Sequence, residues 1–188
     1  MYKRQLNTRL PRTIRITHAE YVPPGFHARF SAARKTYRYC ISRAPVLSPF
    51  DAGLAWHRPL AWSTDILEQA VRLFLGTHDF TAFAALRGNE PRPIPADYFL
   101  RTITQAQVVQ EGEHVFITLT GTGFLYKMVR LMAGAAHEAA RGKITLDELA
   151  RLINYPRPDD KSPFCAPPDG LTLMQVHYAE EAPGNKQE

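Results

Sequence analysis

Residues 101–141 read RTITQAQVVQEGEHVFITLTGTGFLYKMVRLMAGAAHEAAR. Two periodicities meet in this stretch. Val115, Ile117 and Leu119 recur at every second position, the pattern of a strand with one buried face. Glu111-Gly112-Glu113 separates that run from the β-rich Arg101–Gln110, so the pair predicts a hairpin. From Leu125 the spacing changes. Leu125, Met128, Val129, Met132, Ala133, Ala136 and Ala140 fall on one face of a helix that runs to Arg141 and stops at Gly142. A hairpin running into an amphipathic helix calls for a sheet with a helix laid across it.

Upstream, Ser63, Thr64 and Asp65 offer caps to a helix whose stripe is Ile66, Leu67, Ala70, Val71, Phe74 and Leu75, stopped by Gly76. Before it, Lys35–Ser42 alternates Tyr37, Tyr39 and Ile41 against Thr36, Arg38, Cys40 and Ser42, a strand by its period of two. Ile14–Val22 predicts another strand, while Ala44–Trp62 and Leu86–Pro95 read as Pro-punctuated connections. Downstream, Thr145 and Glu148 form a capping box with Ile144 and Leu149 as its staple. Pro156 and Pro158 end that helix near Asn154. A last strand spans Leu171–Ala179, and the polar tail 181–188 is expected to fray. The order is β, β, α, β, β, α, α, β. From the second strand onward it contains the β-α-β-β-α-β series of a ferredoxin-like unit. The expected class is α+β, a mostly antiparallel sheet with helices on one face, and residues 1–188 are read as a single domain.

With 188 residues, 45% hydrophobic and 22% charged, the composition is that of a soluble globular chain. No apolar run is long enough for a membrane helix, and no apolar segment follows the basic N-terminus as a secretory signal requires. Cys40 and Cys165 lie far apart, so free thiols in a reducing cytoplasm are expected. The seven histidines form no paired ligand motif, and no metal is expected. The net charge of +5 hides an asymmetry. Residues 1–43 carry ten Lys and Arg against Glu20 alone, a local +9 that leaves −4 for the rest. Such an excess points to a polyanion, nucleic acid first.

Within that basic segment, Phe26-His27-Ala28-Arg29-Phe30 leads into Arg34-Lys35-Thr36-Tyr37-Arg38-Tyr39. Cations interleaved with aromatics suit RNA, because Arg and Lys meet phosphates while rings stack on unpaired bases. Tyr39 reads better as a core residue. Lys127 and Arg130, three apart on the expected helix, share a face away from Met128 and Val129. Taken alone, that pair is better explained by a surface salt bridge.

Several strings resemble the TruA-type tRNA pseudouridine synthases, and they occur in family order over nearly the whole chain. LNTRLP (6–11) resembles their inter-domain linker, so residues 1–13 read as a linker remnant. FHARFSAARKTYRYCI (26–41) is similar to the segment that follows it. GTHDFTAF (76–83) resembles the family's glycine-histidine-aspartate-phenylalanine motif, GTGFLYKMVRLMAG (121–134) the segment with its essential arginine, and GLTLMQVHY (170–178) its closing strand. The resemblance implies the C-terminal half of the pseudouridine synthase fold. It also implies isomerisation of uridine in the anticodon arm of tRNA, by a homodimer that uses no cofactor. By the same resemblance Arg130 partners a catalytic carboxylate, and Tyr37 packs on the target base. Phe26, His27, Ala28, Arg29, Phe30, Arg34, Lys35, Arg38 and Lys127 then contact RNA. His78 and Asp79 fall in a motif that supports the fold.

The sequence departs from the family at the nucleophile. The family's aspartate lies in an arginine-threonine-aspartate-alanine-glycine motif before the linker, and no such motif occurs here. Asp51-Ala52-Gly53 echoes it, but Pro49 and Phe50 replace the required pair. The chain alone is therefore expected to be inactive, as an enzyme part lacking its nucleophile. The alternative is a non-catalytic RNA-binding or dimerisation module. That reading lacks the glycine-aromatic signature of RNA-recognition domains and leaves Arg130 without a purpose.

Overall fold

A computed structural model describes residues 2–178, so the tail expected to fray and the end of the last strand at Ala179 lie outside the described residues. The chain divides into two compact units between Ser31 and Ala32.

The first unit opens with helix α1, Tyr2–Arg9, none of whose residues is buried. Ile14–Val22 is not a strand; this corrects the expectation of one there. The Asn7 side chain occupies the place of a neighbouring strand: its Nδ2 donates to Ile16 O at 2.9 Å, and Ile16 N donates to its Oδ1 at 2.8 Å. Apolar alternation signals a strand only where a ladder partner exists. The stretch read as a linker is partly helical. Residues 27–31 form a closed turn in which the His27 Nδ1 accepts from Arg29 N and Phe30 N.

The second unit holds a six-stranded sheet. Strands β1 (Ala32–Ser42), β2 (Trp56–His57), β3 (Gly76–Asp79), β4 (Leu100–Glu111), β5 (His114–Gly121) and β6 (Leu171–Tyr178) are joined with helices α2 (Thr64–Arg72), α3 (Met128–Ala140) and α4 (Leu146–Asn154). Strands β6, β1, β5 and β4 lie side by side and antiparallel, in the order of a ferredoxin-like unit. The expected α+β architecture is present. Two short strands extend it: β3 pairs antiparallel with β4, and β2 runs parallel to the end of β1.

The core lies between the sheet and the three helices. Tyr39 and Ile41 of β1 meet Val115, Ile117 and Leu119 of β5 there, all essentially inaccessible. On β4 the inward residues are Ile103 and Ala106, an odd spacing that a bulge opposite Gly121 and Thr120 permits. Each large side chain so buried contributes roughly 1.5–3 kcal/mol. Local signals place the helices. Ser63 caps α2 by accepting from Ile66 N at 3.2 Å. The Thr145–Glu148 capping box starts α4, with Leu149 buried and Ile144 packed on the core. Among the described residues no helix is long and apolar enough to cross a membrane.

Candidate active site

The site is assembled where β1 passes under the start of α3. Gly121 ends β5, and a Cβ there would stand 2.8 Å from Thr102 O and 3.2 Å from the Phe124 ring. The missing side chain lets Phe124 fold back on the sheet, where it meets Tyr37 edge-on with ring centroids 5.0 Å apart. Tyr37 is half-buried and faces Leu119 of β5 and Leu173 of β6 across the ladders. Tyr39, two residues along the same face, is fully buried and donates to Pro167 O at 2.8 Å. Burial pushes its phenol well above the ordinary range, while the nearby Arg130 charge pulls the other way. It is a core residue, as its alternation suggested.

Arg130 lies in the first turn of α3 and is half-buried. Its backbone and side chain grip one residue of the 162–170 loop: Ala166 N donates to Arg130 O at 3.1 Å, and Arg130 Nε donates to Ala166 O at 2.7 Å. Gly134, one turn later, makes this possible. A Cβ there would sit 2.2 Å from Phe164 O. Ser162 adds a bond to Leu131 O at 3.0 Å, and Cys40 N bonds Gly170 O at 2.9 Å on β1. The guanidinium is thus aimed by a loop pinned at both ends. Among the described residues no carboxylate lies within ion-pair distance of it. Among the described residues Arg130 therefore presents a fixed cation without a carboxylate partner, an arrangement able to receive a carboxylate bidentately.

Lys127 is not helical. It precedes α3 in the left-handed region, with φ 59°, so the three-residue helical spacing with Arg130 does not hold. A non-glycine residue there costs about 1–2 kcal/mol. Its ammonium lies 5.4 Å from the Tyr126 ring centre, and the Arg87 guanidinium 4.2 Å from it. No side chain caps α3, so its positive end stays open beside these cations.

The remaining candidates are distributed over two faces and two units. Arg38 projects from the face opposite Tyr37, its guanidinium 5.1 Å from the Phe116 ring. Arg34 is exposed and shares that face by alternation, whereas the half-buried Lys35 goes with Tyr37. In the first unit, Phe30 is 75% exposed with Arg29 5.4 Å over its ring, and His27 packs on it at 4.4 Å. Phe26 and Ala28 lie in the same short segment. His78 donates from Nε2 to Leu75 O at 2.8 Å, and Asp79 Oδ1 accepts from Thr81 N and Oγ1 at 2.8 and 2.6 Å. Asp51 is tied to His114 at 3.0 Å. Sequence reasoning missed Phe124, Gly134 and the Ala166 anchor, although the first two lie in a string it singled out. Among the described residues no cluster of His, Cys, Asp and Glu is placed to hold a metal.

A family model described as tRNA pseudouridine synthase matches residues 70–179. The chain is 87% identical over 181 residues to tRNA pseudouridine synthase A of Akkermansia muciniphila, covering 96% of this chain and 68% of that protein. It is 39% identical to the protein of that name from Methylacidiphilum infernorum, covering 94% and 67%, and 37% identical to that of Syntrophotalea carbinolica, covering 96% and 69%. The chain thus spans about two thirds of the length of these relatives. Agreement of this depth, through the strand of Tyr37 and the helix of Arg130, shows that the chain belongs to the tRNA pseudouridine synthase A family of isomerases.

Proposed function

We propose that this chain supplies the arginine and aromatic side of a pocket in which a uridine of the tRNA anticodon arm becomes pseudouridine. In that reaction the bond from ribose C1′ to uracil N1 is broken and one from C1′ to C5 is made. C5 loses a proton and N1 gains one, so the atoms balance with no oxidant, reductant or cofactor. A carboxylate nucleophile holds the sugar or base while uracil rotates. Arg130 keeps that carboxylate ionised and oriented, and Tyr37, braced by Phe124, stacks on the base. Arg34, Lys35, Arg38 and Lys127 of the second unit meet the tRNA, as do Phe26, His27, Ala28, Arg29 and Phe30 of the first. The enzyme acts in the cytoplasm, and as a homodimer, for which the exposed Leu173 and Met174 of β6 offer apolar area.

The observation that carries this reading is the guanidinium of Arg130, fixed at Nε by Ala166 O and without a carboxylate partner among the described residues. Removing one member of a buried charge pair costs about 3–5 kcal/mol. Arg130 is only half-buried, so the expected loss for Arg130→Ala is nearer a hundredfold in turnover. The measurement is pseudouridine formed in unmodified tRNA by an enzyme containing both this chain and the nucleophilic carboxylate. Near-normal turnover with an unchanged melting curve removes Arg130 from the site.

A further inference from the structure

A cleft of about 860 Å³ opens in the second unit beyond Leu131, the residue after Arg130. The segment that follows β3, the loop before β4 and the loop after α4 enclose it. Its lining is largely apolar, with Ala84, Leu86, Ile94, Phe99 and Leu131 among it. Its polar groups are few and chemically distinct. Asp79 uses one oxygen for both bonds from Thr81, and Oδ2 accepts none from the described residues. Arg157 and Lys161 also line it, and neither side chain has a carboxylate within ion-pair distance among the described residues. Asp160 beside them is already committed to Arg151 through bonds of 2.8 and 3.1 Å.

We infer that this cleft takes a second, unpaired nucleotide of the bound RNA, with guanine preferred. This rests on the tRNA reading above. An apolar lining that includes the Phe99 ring accepts a base taken out of its stack, and Arg157 and Lys161 meet its phosphate. The open oxygen of Asp79 selects the base. Guanine presents adjacent N1–H and N2–H donors to a carboxylate, whereas uracil presents one N–H flanked by two carbonyl oxygens that repel it. The cleft also shares an element with the candidate active site. Ala85 N donates to Tyr126 O at 3.1 Å, just before α3, and Ser162 bonds Leu131 O in its first turn, so both loops are tied to the start of α3. A nucleotide neighbouring the target uridine is therefore the occupant.

The test has two arms. In the first, this chain is titrated with guanosine and uridine monophosphates and followed by NMR. GMP should bind about tenfold more tightly than UMP. Asp79→Asn, which keeps the oxygen that Thr81 uses, should abolish that preference. Arg157→Ala with Lys161→Ala should weaken both nucleotides about tenfold while leaving guanosine unaffected. Equal affinity for the two nucleotides, or GMP binding that survives Ala84→Phe in a folded protein, overturns the site. In the second arm, unmodified tRNA is bound to wild type and to the same variants. Wild type that fails to bind tRNA counts against the proposed tRNA role, and the nucleotide titration still decides the cleft. Wild type that binds, with Asp79→Asn and the double variant equally tight, overturns the assignment of the cleft to tRNA.

Discussion

His137 of α3 is fully buried, and neither ring nitrogen has a hydrogen-bond partner among the described residues. It packs between Trp56 and Trp62, at 4.6 and 5.4 Å between ring centres, with Arg58 and Arg141 nearby. Glu138 lies 3.7 Å from Nδ1, too far for a hydrogen bond. Burial, and then the two arginines, pull its pKa from 6.5 down to about 3. Above pH ~6.5 the ring is neutral in folded and unfolded chains alike. As the pH falls below that, the unfolded chain takes up a proton that the folded chain refuses. Stability is then lost by up to about 1.4 kcal/mol per pH unit until the folded value is reached. His137→Leu should therefore melt less acid-sensitively between pH 7 and 4, and should not be less stable at pH 7, since it removes two unsatisfied atoms. Identical acid profiles for the two proteins would discard this account. Nothing around position 137 in the sequence announces the burial, because Trp56 and Trp62 arrive from a Pro-rich connection some eighty residues earlier.

At the scale of elements, helix α3 and the 162–170 loop act as one piece. Gly134→Ala opposes two effects. Alanine gains about 1 kcal/mol of helix propensity, but its Cβ would meet backbone atoms of Phe164 and Ala166 at 2.2–3.0 Å. Backbone cannot swing aside as a side chain can, and overpacking of this kind typically costs 1–3 kcal/mol. Packing wins, so the variant should melt lower. In a complete enzyme its turnover should fall further than its stability accounts for, because Arg130 hangs on the displaced loop. Activity that tracks the melting temperature alone would show that the loop does not aim the guanidinium.

The hairpin, α2, α3 and α4 were legible because each is specified locally, by alternation, a stripe or a capping residue. Strands β2 and β3 were not, since two and four residues carry no period and only their neighbours make them strands. Ile14–Val22 failed for the converse reason, a period without a partner. In the site, Tyr37 and Arg130 could be named by resemblance. The Ala166 anchor is 36 residues from Arg130 and invisible to any local pattern, and Lys127 gives no hint of its left-handed backbone.

For the whole molecule the distribution of carboxylates decides what it can do alone. The sequence holds eight aspartates. Asp51 is bound to His114, Asp79 to Thr81 and Asp160 to Arg151, while Asp65 and Asp147 sit in the first turns of helices. None pairs with Arg130 among the described residues. Purified chain incubated with unmodified tRNA should accordingly form no pseudouridine above background. Turnover that disappears in Asp51→Ala or Asp79→Ala would mean that one of them is the nucleophile.

The loop that grips Arg130 lies 36 residues beyond it and leads straight into β6, which closes the sheet on β1. A ribosome delivers the arginine first and its anchor later. While the chain is growing, α3 can wind and the β4–β5 hairpin can pair, yet the guanidinium stays unaimed until Ala166 has left the exit tunnel. The fixing of the Arg130 side chain therefore coincides with the last strand locking in, and a half-made chain holds that cation loose.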